Sequence, residues 1–301
     1  MLTIGTFDGV HCGHQVILDR LKQIAHNEGG ETVLLTFDPH PRTVLFPEAN
    51  GLRLLNTKKE KIDLLEKAGL DHLIIYPFTQ RFSRLTSVEY VRDVLVNGVG
   101  VHKMVSGYDH HFGRNREGDL DKLRELSELY GFEVEEISAQ MIDEVRISST
   151  KIRNALAAGD VATASKYLGY RYALSGKIVK GNSLGRTIGF PTANLQVLDN
   201  LKLIPGEGVY AIEADLKGKR HQGMMNIGTR PTVNLPTGRA GGNDPRIIIE
   251  AHLFDVSEDL YDEMMNVHFV ARLRNEERFA DLSALKEQLN KDRQHALDIL
   301  R

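Results

Sequence analysis

The stretch Leu2–His14, LTIGTFDGVHCGH, runs from a short apolar segment into three glycines and two histidines. It predicts a strand over Leu2–Phe7 and a glycine-rich turn, then a helix in which Ile17, Leu21, Ile24 and Ala25 fall on one face and Gly29–Gly30 supplies the stop. Working outward, further strands are expected at Thr32–Phe37, His72–Phe78, Lys103–Tyr108 and Glu133–Ile137. Thr57-Lys-Lys-Glu60 and Thr86-Ser-Val-Glu89 read as capping boxes, in which Thr and Glu satisfy two orphan helix donors reciprocally. Strands alternating with helices predict right-handed crossovers and a doubly wound, mainly parallel α/β sheet of the Rossmann type. Ligands of such sheets bind beyond the carboxyl ends of the strands.

The pattern changes near residue 160. Ile147–Ala158 and Asp160–Leu168 predict two short helices separated by Gly159. From Tyr172 onward strands and glycine-rich turns take over, with strands expected at Ala173–Val179, Val209–Leu216, Arg246–Phe254 and Asn266–Leu273. A last helix begins at Leu282, where Leu285, Leu289, Ala296, Leu297 and Leu300 supply an apolar face. Several strands followed by one helix predict a small antiparallel β-barrel closed by a terminal helix. The expected domains are residues 1–165 and 166–301, with the boundary within 160–172.

A chain of 301 residues is long enough for two domains, each burying its own core. The net charge of -3, with both signs mixed along the chain, argues against a nucleic-acid binder, which carries a basic stripe. No apolar run approaches the roughly 20 residues needed to span a bilayer, and MLTIGTFDG has neither a basic leader nor a signal core. One cysteine, Cys12, excludes an internal disulfide framework and suits a reducing cytoplasm. A cytoplasmic protein without membrane or nucleic-acid partners is therefore expected, with a weak homo-oligomer left open. Gly238–Asp244 reads as a mobile loop, and the longer stretch Asn234–Asp244 as a flap over a site.

His11 and His14 stand three apart where the first helix begins, so both can face one ligand. A helix N-terminus suits phosphate, and Gly5, Gly9 and Gly13 let backbone approach a triphosphate closely. Taken alone, two histidines at a helix start are more often surface or capping residues, and the spacing with Cys12 matches no usual zinc signature. In the second half, Gly176-Lys-Ile-Val-Lys-Gly181, Gly185-Arg186 and Gly189-Phe-Pro-Thr-Ala-Asn194 form a glycine-rich loop without the Gly-Lys-Ser/Thr ending of a P-loop. Glycines in a β domain usually mark turns, and a lone Glu250 in Ile249-Glu-Ala-His-Leu usually faces solvent.

His11-Cys-Gly-His14 resembles the HxGH signature of the nucleotidyltransferase superfamily, and GTFDGVHCGH resembles the opening of bacterial bifunctional riboflavin kinase/FAD synthetases. Phe37-Asp-Pro-His-Pro41, Gly107-Tyr-Asp-His-His-Phe-Gly113 and Ile147-Ser-Ser-Thr-Lys-Ile-Arg153 fit that family in order and spacing. So do GFPTAN, Asn226-Ile-Gly-Thr-Arg-Pro-Thr232 and Glu250-Ala-His-Leu-Phe-Asp255. The resemblance spans nearly the whole chain. It implies ATP-dependent phosphorylation of riboflavin to FMN by the C-terminal half and adenylyl transfer to FMN, giving FAD and pyrophosphate, by the N-terminal half.

The same resemblance implies the sites. His11 and His14 would stabilise charge developing on the phosphates, with Gly5, Phe7, Gly9, Gly13, Ser149, Thr150 and Arg153 at that ATP. Glu250 would be the base of the kinase. Gly176, Lys177, Gly181, Gly185, Gly189, Thr192 and Asn194 would hold its ATP, with Thr192 and Asn194 as hard oxygen donors to Mg²⁺. Asp38, His40, Asp109, Arg274 and Glu276 would face flavin, Arg274 and Glu276 through Leu273-Arg-Asn-Glu276 and Phe279. Three departures stand out. The family carries a further stretch ahead of the first strand, so an edge element there is expected to be missing or to lie upstream. His110 stands where Phe is common, and Asn234–Asp244 is longer than the pattern. A kinase alone with an inactive or regulatory first half is the alternative; intact His11, His14 and Arg153 speak against it. An FMN-sensing module is disfavoured by Thr192, Asn194 and Glu250 together.

Overall fold

The computed structural model describes residues 1–48, 51–107, 110–137, 147–180, 185, 188–230, 246–256 and 260–301. Its contacts divide the chain into two units, Met1–Ser149 and Thr150–Arg301.

The first unit is built on five parallel strands, β1 (Leu2–Ile4), β2 (Val33–Asp38), β3 (His72–Pro77), β4 (Lys103–Gly107) and β5 (Glu133–Ile137), in the spatial order β3-β2-β1-β4-β5. The expected doubly wound sheet is present. Successive residues of central strands face opposite layers, and both layers are buried. Leu35 and Met104 join Leu2, Tyr90 and Leu123 on one side. On the other, Leu34 packs with Leu18 and Leu65, and Val105 with Leu21 and Ile24. Burial on both faces is why these strands read as continuous apolar runs rather than alternations.

Among the described residues the helices are α1 (Cys12–Glu28), α2 (Pro41–Leu45), α3 (Lys58–Lys67), α4 (Ser87–Glu89, running on as a wider helix over Tyr90–Val99) and α5 (Leu120–Tyr130). Both expected capping boxes form, Thr57 with Glu60 and Thr86 with Glu89. Helix α1 ends at Gly29, whose φ of 63° only glycine adopts without strain. The chain passes from β1 to β2 and β3 on one side and to β4 and β5 on the other. The switch point, where a doubly wound sheet opens its crevice, therefore lies at the carboxyl end of β1. The Gly5–His14 segment leaves from there.

The second unit contains α6 (Ser149–Ala157, from Thr150 onward), α7 (Val161–Leu168) and a closed barrel. Its strands are β6 (Ala173–Val179), β7 (Ala193–Val197), β8 (Gly208–Leu216), β9 (Lys219–Arg230), β10 (Arg246–Leu253) and β11 (Met264–Arg274). They close in the order β10-β7-β6-β11-β8-β9, every pair antiparallel. Tyr172, Tyr210 and Phe269 are its largest fully buried side chains. The terminal helix α8 (Leu282–Leu300) lays Leu289, Ala296, Leu297 and Leu300 on an outer wall made by Ala211, Met224 and Phe254. This is the expected barrel with a terminal helix, enlarged by two strands that the sequence pattern missed, β7 and β9.

Candidate active sites

In the first unit, β1 stops at Ile4 and does not reach Phe7. Phe7 and Val10 take left-handed φ values of 45° and 37°, and Gly9 takes 91°. Val10 N–H returns to the Phe7 carbonyl at 3.2 Å, which closes a tight turn that no strand could contain. The turn delivers His11 to the N-cap of α1, where its Nδ1 accepts the His14 N–H at 3.3 Å. The His11 and His14 rings stack with centroids 3.7 Å apart, and Phe7 covers the other side of His14 at 4.5 Å. A Cβ on Gly13 would lie 3.2 Å from the His11 ring, so glycine there lets the imidazole lie across the helix start.

His14 Nδ1 is buried and has no hydrogen-bond partner among the described residues. Burial first, then the neighbouring His11 and Lys61, push the His14 pKa well below its ordinary value. The imidazole is therefore neutral near pH 7.

The strained turn is held from several sides. Asp8, 2% exposed, accepts Leu55 N–H at 3.0 Å and Asn56 N–H at 3.4 Å on Oδ1. Its carbonyl accepts the Ser149 hydroxyl at 2.9 Å. The Thr6 carbonyl accepts Lys61 Nζ at 2.9 Å and Thr36 Oγ1 at 3.2 Å. Beside the turn is a small cavity of about 30 Å³, whose wall includes Asp8, Asp38, His40, Lys58 and Lys61. Lys58 pairs with Asp38 at 3.0 Å, and His40 caps α2 by accepting Arg42 N–H at 3.2 Å. Asp38 and His40 thus share a pocket with the histidine turn's own Asp8. His110 stacks on Phe112 at 5.9 Å, while Asp109 lies outside the described residues. Thr150 and Arg153 belong to α6 in the second unit.

In the second unit a cavity of about 330 Å³ opens between the barrel wall and α8. Gly185, Thr192, Asn226, Glu250, Arg274 and Glu276 line it beside apolar Ile188, Phe190, Leu285 and Leu289. This is the size and mixed lining of a small-molecule cleft. The register explains the convergence. Glu250 on β10 stands opposite Asn194 on β7 and opposite Asn226 on β9. Directly paired residues share a sheet face, so these three side chains form one row, with Thr192 two residues from Asn194. Ala193, Ile249 and Ala251 point the other way, into the core.

Arg274 forks onto Asp292 of α8 at 2.8–3.0 Å, and Gln288 also donates to Asp292 at 2.9 Å. Its guanidinium lies 5.6 Å from the Phe279 ring centre. Asn226 Nδ2 donates to Glu276 at 3.5 Å. His252 Nδ1 donates to the Pro191 carbonyl at 2.8 Å, and burial lowers the pKa of that ring. Gly176 and Lys177 lie on β6, with Lys177 paired to Asp262 at 2.8 Å. Gly189 follows at φ 87°, whereas Gly181 and the loop Asn234–Asp244 fall outside the described residues.

Sequence reasoning overlooked Asp8, Lys61 and Asp292. A signal existed for Lys61: it stands four residues before Leu65, on the inward stripe of α3. Asp292 carried a similar one, four residues before Ala296 on the stripe of α8 that covers the barrel.

Residues 1–151 match the family described as FAD synthetase, and residues 168–300 match riboflavin kinase. The chain is 40% identical to the bifunctional riboflavin kinase/FMN adenylyltransferase of Pseudomonas fluorescens, over 96% of this chain and 89% of that one. To the protein of the same name from Escherichia coli (strain K12) it is 39% identical, over 97% and 90%. A solved structure from Streptococcus pneumoniae, named a macrolide-efflux protein, matches with a TM-score of 0.84 at 27% identity, covering 97% of this chain and 92% of that one. Among the described residues of this chain no helix is long and apolar enough to cross a membrane. With both halves matched in order and the relatives aligned nearly end to end, the chain belongs to the bifunctional riboflavin kinase/FMN adenylyltransferase family, whose members phosphorylate riboflavin and adenylylate FMN at the expense of ATP.

Proposed function

We propose that the row Asn194–Glu250–Asn226 is the centre of the kinase and the His11–His14 turn the centre of adenylyl transfer. The observation that carries the first assignment is the strand register, which sets Glu250, on the wall of the cavity of about 330 Å³, opposite Asn194. Glu250 takes the proton of the ribityl 5′-hydroxyl as that oxygen attacks the γ-phosphorus of ATP. Thr192 and Asn194 meet the ATP phosphates, with Gly176, Lys177, Gly181, Gly185 and Gly189 forming the surrounding glycine-rich stretch.

Thr192 and Asn194 offer hydroxyl and amide oxygens, hard donors suited to Mg²⁺. Among the described residues no cluster of three His, Cys, Asp or Glu side chains could hold a metal alone. That fits a cation carried chiefly by substrate phosphates, and Mg²⁺ when bound neutralises their charge. On the flavin side, Arg274 and Glu276 form the end of the cavity that α8 closes. Arg274 shapes that wall through Asp292, because its fork is already engaged.

In the first half, the FMN phosphate attacks the α-phosphorus of ATP and pyrophosphate leaves, with no covalent enzyme intermediate. His11 and His14, with Gly5, Phe7, Gly9, Gly13, Ser149, Thr150 and Arg153, stabilise the charge that builds on the phosphoryl oxygens. The buried, unpartnered Nδ1 of His14 supports this reading, since such an atom awaits a partner. Asp38, His40 and Asp109 form the flavin side. The functional division falls at residues 165/166. A cytoplasmic setting and weak self-association complete the proposal.

Incubation with riboflavin, ATP and Mg²⁺, with flavins separated over time, tests it. FMN should appear first and then convert to FAD. FMN that accumulates without FAD would contradict the role given to the histidine turn.

A further inference from the structure

We propose that Lys61 is a positioning residue of adenylyl transfer: its ammonium ties the histidine turn to the pocket of Asp38 and His40. The proposal rests on reading the His11–His14 turn as the adenylyl-transfer site, and four observations carry it.

Lys61 lies on the inward stripe of α3, four residues before Leu65, which is 1% exposed. Its Nζ donates to the Thr6 carbonyl at 2.9 Å, one residue before the left-handed Phe7. The side chain forms part of the wall of the small cavity, together with Asp8 and Asp38. The same charge is felt by three groups of the site: it disfavours protonation of His14, while Asp8 and Asp38 favour the charged form of Lys61 against the burial that opposes it.

A role confined to stability explains these facts less well. Helix α3 already has a complete capping box, and Leu64 and Leu65 pack into the core beside Leu18 and Leu34. An apolar side chain of similar length would fill the same space without the desolvation cost of an ammonium. What an apolar side chain cannot do here is offset Asp8, and Asp38 beyond its pair with Lys58. Negative charge builds on the phosphoryl oxygens as pyrophosphate leaves, and Asp8 and Asp38 would oppose that build-up at short range in a partly desolvated site. Lys61 holds Thr6, and through it the turn that aims His11 and His14, while it neutralises the adjoining wall.

The test compares K61M, K61R and H14A in the full chain, measuring FAD formed from FMN and, separately, FMN formed from riboflavin. K61M should lower kcat for FAD by about 10²-fold, the scale of a lost preorganised electrostatic group. KM for ATP should move less than about threefold, because a positioning role acts on kcat rather than on binding. K61R, which keeps the charge, should recover most of the rate, and both variants should make FMN at the parental rate. K61M working at the parental kcat while H14A is inactive would overturn the proposal. So would K61R as inactive as K61M, or a K61M loss that merely follows a lower melting temperature. H14A with parental FAD synthesis would instead remove the underlying assignment of the turn, and Lys61 with it.

Discussion

The His14 imidazole lies flat between two rings, 3.7 Å from His11 and 4.5 Å from Phe7. A proton on His14 would have to sit in this stack, beside another imidazole and close to the Lys61 ammonium. Burial and both neighbours therefore hold its pKa down. The folded chain keeps His14 neutral below pH 6.5, whereas the unfolded chain takes up the proton near that value. The unfolded state binds more protons there, so stability falls as pH drops through and below 6.5, and the loss continues until the depressed folded pKa is reached. An NMR titration of the histidine ring protons should show His14 still neutral where an exposed histidine is already charged. A midpoint at or above the ordinary value would contradict this reading.

Arg274 and Asp292 form an ion pair in which the side chains are 15% and 4% exposed. Removing one partner leaves the other charge buried and unpaired, at a cost of about 3–5 kcal/mol. Asp292→Ala should lower the unfolding free energy by about that amount and raise the riboflavin KM, because α8 walls the cavity. Urea denaturation measures the first effect. A loss below about 1 kcal/mol, the scale of an exposed pair, would show that the fork does not hold the helix.

Gly228 on β9 leaves room for a neighbour. A Cβ there would fall 2.1 Å from Glu276 Oε1, the oxygen that Asn226 reaches at 3.5 Å. Gly228→Ala must push the Glu276 carboxylate aside. If that carboxylate faces flavin, the riboflavin KM should rise roughly tenfold, about 1.4 kcal/mol of binding, with FAD synthesis from FMN unchanged. An unaltered riboflavin KM would remove Glu276 from the flavin site.

The parallel sheet was legible because its apolar runs alternate with helices that carry clear end signals: Gly29 stops α1, and Thr57 and Thr86 cap as their spacing requires. Two barrel strands were not. Strand β9 opens with Lys219-Arg-His-Gln222 and contains Gly223 and Gly228, so neither alternation nor β propensity marks it. It is a strand because the Lys217-Gly218 turn, at φ 49° and 75°, folds it back along β8. Strand β7 begins within the GFPTAN motif, whose reading as part of a glycine-rich phosphate loop hid Ala193–Val197.

The sites show the same division. Residues close in sequence, such as His11 and His14, announce themselves through their motif. Asp8, Lys61 and Asp292 act across long sequence separations, 47 residues in the case of Asp8 and Leu55. Only the fold could bring them together. Strand β1 was read too long because Phe7 looks like a strand residue, while its left-handed φ is imposed by the turn that Asp8 and Thr6 anchor.

The most direct measurement assays E250Q and H14A separately for each half-reaction. E250Q should lose about 10²–10⁴-fold of its riboflavin phosphorylation, the usual worth of a general base, while it still converts FMN to FAD. H14A should do the reverse, making FMN at the parental rate and failing to make FAD. Either variant losing both activities, or keeping both, would contradict the assignment of one chemistry to each half.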